Sequence, residues 1–381
     1  MMIAQLDELV VVELGNSVAA PFAGQIFADF GAKVIKVEKS SGDDARHWGP
    51  PFWEGAGAFF QTLNRGKQSL VCDMRDQEQL SNLKTFISSH ADIVIQNMRP
   101  GQVNKLGLDA KTLQASNPGL IYCNIGAFGT VGPLAGRPGY DPLMQAFGGI
   151  MATTGEEGRP SVRVGASIVD MGTGLWGVLG IMMALLDRRE TGRGHVVDVA
   201  LFETAVNWSS LLGSQYLADG QIQKKQGSGV ASIVPYRAFA TSDGEVVVAA
   251  GGNDLFGRLA HLLGHPEWID DPKFSSNPER VAHQDILYDL IGAEMKKQSS
   301  DLWVKRMDEA GIPCAPVQNL AQLVAHPQTE AVGILQDVPG TSMRMFGLPI
   351  KIDGTRPAPR GAPPKLNEHD MNIIDMNKKF D

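Results

Sequence analysis

A chain of 381 residues is long enough for roughly two domains. Its residues are 43% apolar and 20% charged, as in an ordinary globular protein, and its 43 glycines and 22 prolines fall short of a disordered bias. A formal net charge of −8 lacks the basic footprint of a general nucleic-acid binder but leaves room for a local basic pocket.

The first two hundred residues alternate β-branched runs with helical patterns. Strands are expected at Leu9–Leu14, Lys33–Glu38, Ser69–Cys72, Asp92–Gln96, Leu120–Ile125 and Val196–Ala200. Several are nearly continuous Val/Ile runs, the pattern of parallel strands covered on both faces. Helices are expected at Pro21–Phe30 and Asp76–His90 and after Asp170. This repetition predicts an α/β fold with a doubly wound, Rossmann-like parallel sheet, whose ligands sit beyond the carboxyl ends of the strands. The turn Gly15-Asn16-Ser17 after the first strand could offer backbone N–H groups to a phosphate. It lacks G-x-G-x-x-G, so it does not point to a nicotinamide. The glycines at 126, 129 and 132 match no phosphate loop and read as a turn. The apolar run Met171–Leu186 is shorter than the roughly 20 residues of a membrane span and contains four glycines, so a buried helix is expected.

The pattern changes near Gly220. Tyr236–Thr241 and Glu245–Ala250 read as a hairpin around Ser242-Asp243-Gly244, followed by helices at Asp254–Leu263, Gln284–Lys297 and Ser300–Ala310. The expected division is a large domain over residues 1–220, completed by a tail over 330–381, and a smaller α+β domain over 225–325.

Cys72, Cys123 and Cys314 form no C-x-x-C pair, and their odd count argues against a disulfide framework. The N-terminal residues lack a basic stretch ahead of an apolar one, and Asp7 and Glu8 interrupt them, so no signal peptide is expected. Together these features predict a cytoplasmic protein.

Several chemistries lose their main support. His261 and His265 have i, i+4 spacing without the Glu of H-E-x-x-H, and the other histidines are scattered, so no metal site is expected. G-x-S-x-G and P-loop motifs are absent. Asp170 stands out, between small residues and just ahead of the apolar run. One reading is an N-cap. The other is a carboxylate at a helix N-terminus, among glycines that let a substrate come close. Such a group would stay ionised at neutral pH and act as a nucleophile without a general base. Tyr140-Asp141 reads either as a polar loop with a packed tyrosine or as part of a site. Gly251-Gly252-Asn253 reads either as a turn into a helix or as a mobile lid.

Motifs along the chain carry a resemblance. They include Pro21-Phe22-Ala23-Gly24, Phe30-Gly31-Ala32-Lys33-Val34-Ile35-Lys36-Val37-Glu38 and Asn64-Arg65-Gly66-Lys67-Gln68-Ser69. Arg99-Pro100-Gly101, Asn117-Pro118-Gly119-Leu120-Ile121-Tyr122, Gly192-Arg193-Gly194-His195-Val196-Val197-Asp198 and Gly311-Ile312-Pro313-Cys314-Ala315-Pro316 follow. In this order, from about Leu6 to Gly361, the chain resembles the class III coenzyme A-transferases, the formyl-CoA and carnitine-CoA transferase family.

The resemblance implies that Asp170 is the nucleophile and Tyr140 an active-site tyrosine. Gly251 and Gly252 match a glycine loop, shorter here than in formyl-CoA transferase. Lys39, Arg75, Asn97 and Lys105 match positions lining the CoA site, and Arg137 lies near a lysine position of the family. The implied substrates are an acyl-CoA and a small carboxylic acid, a dicarboxylate such as oxalate or succinate by family frequency. The implied assembly is an interlocked homodimer with its active site between domains of different subunits.

The implied reaction passes CoA through an aspartyl anhydride and an aspartyl-CoA thioester. Backbone N–H groups near Asp170 or in the Gly251 loop would stabilise the oxyanions. Two alternatives stay open: an α-methylacyl-CoA racemase-like enzyme and a non-catalytic acyl-CoA binding protein. The racemases carry His where Tyr140 stands here, and a phenol with a pKa of about 10 is a poor exchanging base at neutral pH.

Overall fold

The computed structural model describes residues 6–369. The sequence expectations for residues 1–5, and for the tail beyond residue 369, lie outside the described residues. The chain divides into two compact units. The first comprises Met1–Ile150, Arg163–Gln215 and Pro327–Asp381; the second comprises Met151–Val162 and Tyr216–His326.

The first unit is built on six parallel strands: β1 (Val10–Leu14), β2 (Lys33–Glu38), β3 (Gln68–Val71), β4 (Ile93–Gln96), β5 (Ile121–Gly126) and β6 (Val196–Ala200). Their order is β3-β2-β1-β4-β5-β6. The order reverses at β1, so crossovers leave β1 and β4 toward opposite sides and open a crevice at the carboxyl ends of the strands. All six strands expected from sequence form, within one or two residues.

The continuous apolar runs are explained by cover on both faces. Alternate residues of β1 face opposite layers: Val10, Val12 and Leu14 pack with Leu83 and Ile87 of α2 (Gln77–His90), whereas Val11 packs with Phe27 of α1 (Ala19–Asp29). Asp76 starts α2, its side chain accepting from the N–H groups of Glu78 and Gln79. Among the other helices, α3 (Asp141–Phe147), α4 (Ile168–Thr191) and α5 (Leu201–Trp208) bear on the site described below.

The helix α4 corrects one expectation. Only one face is buried, through Gly172, Thr173, Gly177, Ile181, Ala184 and Leu185, against α1 and the sheet. Met171, Leu175, Leu179, Met183 and Leu186 recur every third or fourth residue and are exposed. By length and composition alone this helix could cross a membrane; its buried face instead forms one layer of the sheet packing. Two of its glycines are packing residues. A Cβ at Gly174 would lie 2.6 Å from the Ala19 carbonyl, and one at Gly172 2.8 Å from the Trp208 ring. They let neighbouring helices approach, not a substrate.

The second unit carries β7 (Tyr236–Ala240), β8 (Glu245–Ala249) and β9 (Cys314–Pro316) in an antiparallel sheet. The hairpin closes where sequence places it, with Thr241 N–H donating to the Gly244 carbonyl. The helices α6 (Asn253–Leu263) and α7 (Asn277–Ala282) follow β8. Phe239, Val246, Val248, Phe256, Leu287 and Trp303 belong to a core separate from that of the sheet.

Candidate active site

A cavity of about 730 Å³ opens at the carboxyl ends of the first unit's strands. Leu14, Glu38, Cys72, Asn97 and Gly126 line it, each at or just after the end of a strand, and Asp170 and Tyr140 face it from α4 and the loop before α3. The position follows from the strand order.

Asp170 is the third residue of α4, and Ser167 occupies the N-cap position, so the N-cap reading of Asp170 is not realised. The helix is capped from another segment. The buried Asp141 carboxylate accepts from the N–H of Val169 at 2.8 Å and of Asp170 at 3.1 Å. Gln145 donates to the other Asp141 oxygen at 2.5 Å, and its own oxygen accepts from Val164 N–H at 2.8 Å. One turn of α3 thus fixes the loop that delivers Asp170. Sequence reading missed this role for Asp141; the only local signal is its i, i+4 spacing from Gln145 on a helix beginning Asp-Pro.

This geometry alters two expectations. Burial, and then the charge of Asp141, push the Asp170 carboxyl up to about 7, against the helix dipole. Asp170 is therefore not the ordinary ionised carboxylate expected from sequence. The amides beside it are also taken. Ile168 N–H donates to the Ala166 carbonyl, Met171 N–H to the Ser167 carbonyl, and the two between them to Asp141. They are not free to stabilise an oxyanion.

The Gly15-Asn16-Ser17 turn is likewise committed. Asn16 N–H donates to Asn97 Oδ1 at 3.0 Å, the Asn97 amide donates back to the Asn16 carbonyl at 2.8 Å, and Ser17 N–H donates to Asp43 at 3.1 Å. Ser17 holds a left-handed φ of 70°, unusual for a side-chain-bearing residue. The N–H groups of Asn16 and Ser17 in that turn are internally satisfied. Asn97 reaches the cavity wall while holding the turn.

Of the cations expected to line the cavity, Lys39, Arg75 and Arg137 do so. Lys39 pairs with Asp44 at 2.6 Å, and Arg75 grips Asp73 through two bonds of 2.9 Å, all on exposed side chains. Arg137 lies 6.0 Å from the Phe128 ring. Arg99, which sequence reading did not single out as a ligand, also lines the cavity, whereas Lys105 is exposed and outside the lining. Val37, Met74 and Met98 supply apolar wall between the basic groups. The arrangement can take a long ligand with several anionic groups, an apolar section and a reactive end near Asp170. Gly251 and Gly252 belong to the second unit. A Cβ on Gly251 would run into Ile233, whereas one on Gly252 would meet nothing. No cluster of three metal-ligating side chains occurs among the described residues.

A doubly wound parallel α/β unit with a carboxylate in the first turn of a helix, facing a crevice lined by both cations and carboxylates, suits group transfer on an anionic ligand. Comparison with known proteins supplies the rest. The profile of CoA-transferase family III matches residues 6–370, and the chain belongs to this family. It is 34% identical to succinate–glutarate CoA-transferase of Agrobacterium fabrum, over 97% of this chain and 94% of that protein. It is 32% identical to human succinyl-CoA:glutarate CoA-transferase, over 100% of this chain and 87% of that protein. The crystal structure of a CAIB/BAIF family protein from Brucella suis superposes with a TM-score of 0.88 at 39% identity, covering 96% of this chain and 97% of that one. The chain is a CoA-transferase.

Proposed function

We propose that this CoA-transferase moves CoA from an acyl-CoA to a small dicarboxylic acid, with Asp170 as the covalent carrier. One observation carries the reading: in a cavity whose lining includes Lys39, Arg75, Arg99 and Arg137, Asp170 presents a half-buried carboxylate that no cation pairs with among the described residues. With a pKa of about 7, roughly half of it is ionised at neutral pH, and it is a stronger nucleophile than an ordinary carboxylate.

An Asp170 oxygen attacks the thioester carbonyl. The C–S bond breaks, CoA leaves as thiolate, and an anhydride links Asp170 to the donor acyl group. The thiolate attacks the aspartyl carbonyl and expels the donor carboxylate, leaving an Asp170–CoA thioester. The acceptor carboxylate attacks that thioester, and the reverse steps yield its CoA thioester and free Asp170. Each thioester is exchanged for another, so no external energy source enters. Lys39, Arg75, Arg99 and Arg137 hold CoA phosphates, and Asn97 holds the turn that bounds the ligand. Tyr140, 60% exposed and lining the same cavity as Asp170, orients the reacting acid through its hydroxyl. The acceptor class is taken from the relatives above, whose names specify succinate and glutarate.

The protein acts as a homodimer. The exposed apolar stripe of α4 is the support: Met183 and Leu186 are 55% and 52% exposed in the single chain. Light scattering should give twice 41.0 kDa, and Leu179→Asp should give monomer. For the reaction itself, the protein is incubated with succinyl-CoA and a panel of dicarboxylic acids in heavy water. Acceptor-dependent appearance of a new CoA thioester, without deuterium at the α-carbon, is expected. Deuterium incorporation without transfer would establish the racemase-like alternative instead.

A further inference from the structure

Three side chains form a ladder across β4, β5 and β6. Asn124 Nδ2 donates to Asp198 Oδ1 at 2.8 Å, and Gln96 Nε2 donates to Asn124 Oδ1 at 2.6 Å. The Gln96 oxygen in turn accepts from Met98 N–H at 2.8 Å. The three residues are register partners, Gln96 with Asn124 across β4 and β5, and Asn124 with Asp198 across β5 and β6. Residues opposite one another in neighbouring strands bring their side chains together, so the sheet itself assembles the ladder.

The ladder has a direction. An amide side chain can be turned round, exchanging donor for acceptor, but a carboxylate only accepts. Asp198 therefore obliges Asn124 to turn its NH2 group toward β6 and its oxygen toward β4. That oxygen obliges Gln96 to point its NH2 group the same way, and the Gln96 oxygen is left for Met98 N–H. With Gln96 reversed, two donors would face each other, and a buried N–H would lose its acceptor.

What the ladder fixes is the strap that leaves β4. Asn97, Met98, Arg99 and Pro100 all line the cavity, whereas Asp198 lies outside the lining, on the edge strand of the sheet. Lys39 and Arg75 are steadied by Asp44 and Asp73. Arg99 makes no ion pair among the described residues, so its place depends on the backbone that carries it.

We propose that Asp198 is a positioning residue for CoA binding, which acts through Asn124 and Gln96 on the strap that presents Arg99. This rests on the reading that the cavity takes CoA, and extends it to a side chain outside the cavity wall. A directed ladder can be broken at either residue and rebuilt by exchanging the two.

The test makes that exchange in the full-length protein. It reads the Kd of CoA by calorimetry, kcat and KM for transfer from succinyl-CoA to glutarate, and the melting temperature. Asp198→Asn lets the ladder run either way; it should raise Kd and the succinyl-CoA KM by about three- to tenfold and keep kcat within about twofold. Asn124→Asp sets two carboxylates side by side and should raise both constants further. In the double variant the introduced amide donates to the introduced carboxylate, which accepts from Gln96, so Kd and KM should return to within about twofold of wild type. Recovery of the melting temperature without recovery of affinity would overturn the inference. Asp198 is exposed, so Asp198→Asn keeps the fold and decides the matter if the double variant does not fold. Wild-type Kd in Asp198→Asn, beside a weakened Arg99→Ala, would overturn the inference alone. Wild-type Kd in Arg99→Ala would overturn the reading that the strap holds CoA, and the inference with it.

Discussion

Two acids of the first unit, the fully buried Glu13 and the half-buried Asp170, show how one side-chain type is put to opposite uses. Glu13 of β1 sits between two lysines, with Lys36 Nζ at 2.8 Å and Lys67 Nζ at 2.7 Å. Burial raises its pKa, but the two cations outweigh this and leave it below the ordinary value. Asp170 faces a cavity, pairs with no cation among the described residues, and has Asp141 for a neighbour. The first carboxylate is locked in its charged form, and Lys36 in turn holds the Gly15 carbonyl at 2.8 Å. The second is kept ready to change its bonding. Stability and reactivity are separated by which partners the chain brings to each acid.

The largest effects should separate the two cleanly. Asp170→Asn should lower transfer by about 10⁴-fold or more while the protein stays folded. Glu13→Gln leaves buried Lys67 without its anion and Lys36 with Asp43 alone, at 2.8 Å, and should cost about 3–5 kcal/mol in urea unfolding. If Asp170→Asn unfolds the protein instead, the contrast fails.

Acidity should show the opposite signs. The folded-state pKa of Asp170 is raised to about 7, so kcat/KM for acyl-CoA should rise with pH through that value as the nucleophile ionises. Between the unfolded carboxylate value, about 3.9, and about 7, the folded state binds the extra proton. Asp170 therefore subtracts stability as pH rises through this window, and Asp170→Asn should gain on wild type over the same range. Glu13, whose folded pKa is lowered, contributes stability above its unfolded value and loses it as pH falls through the folded one. Thermal melts of both variants against pH check both signs.

A smaller effect is expected from Asp141→Asn. It removes the second cause that raises Asp170, so the pH–rate midpoint should move down. It also weakens two bonds to the start of α4, so stability should fall by about 1–3 kcal/mol. An unmoved midpoint would show that burial alone sets the acidity. Smallest of all, Arg75→Ala should raise the KM for acyl-CoA several-fold with an unchanged melting temperature, because its ion pair with Asp73 is exposed.

The sheet was legible because parallel strands covered on both faces leave unbroken Val/Ile runs, and the hairpin of the second unit because Ser242-Asp243-Gly244 is a local turn signal. The strand Cys314–Pro316 carried no such signal; it is three residues long and pairs with β8 across more than sixty residues. Nothing in Met151–Val162 announces that this segment joins the second unit. In α4 the apolar residues run round the helix, so periodicity could not say which face is exposed. Asp170 was legible as a candidate from its neighbours, and its place in a family pattern gave it a role. Its acidity was not, because that depends on Asp141, 29 residues away, and on burial. The roles foreseen for backbone amides failed for the same reason: Asp43, Asn97 and Asp141 take them through contacts that span 26 to 81 residues.

The most direct test of the covalent carrier is chemical. The protein is mixed with succinyl-CoA, quenched with hydroxylamine and mapped by peptide mass spectrometry. An activated aspartyl carbonyl becomes a hydroxamate, so acyl-CoA-dependent modification at Asp170, absent in Asp170→Asn, is the predicted result. Transfer at a normal rate with no modification at Asp170 would contradict the account.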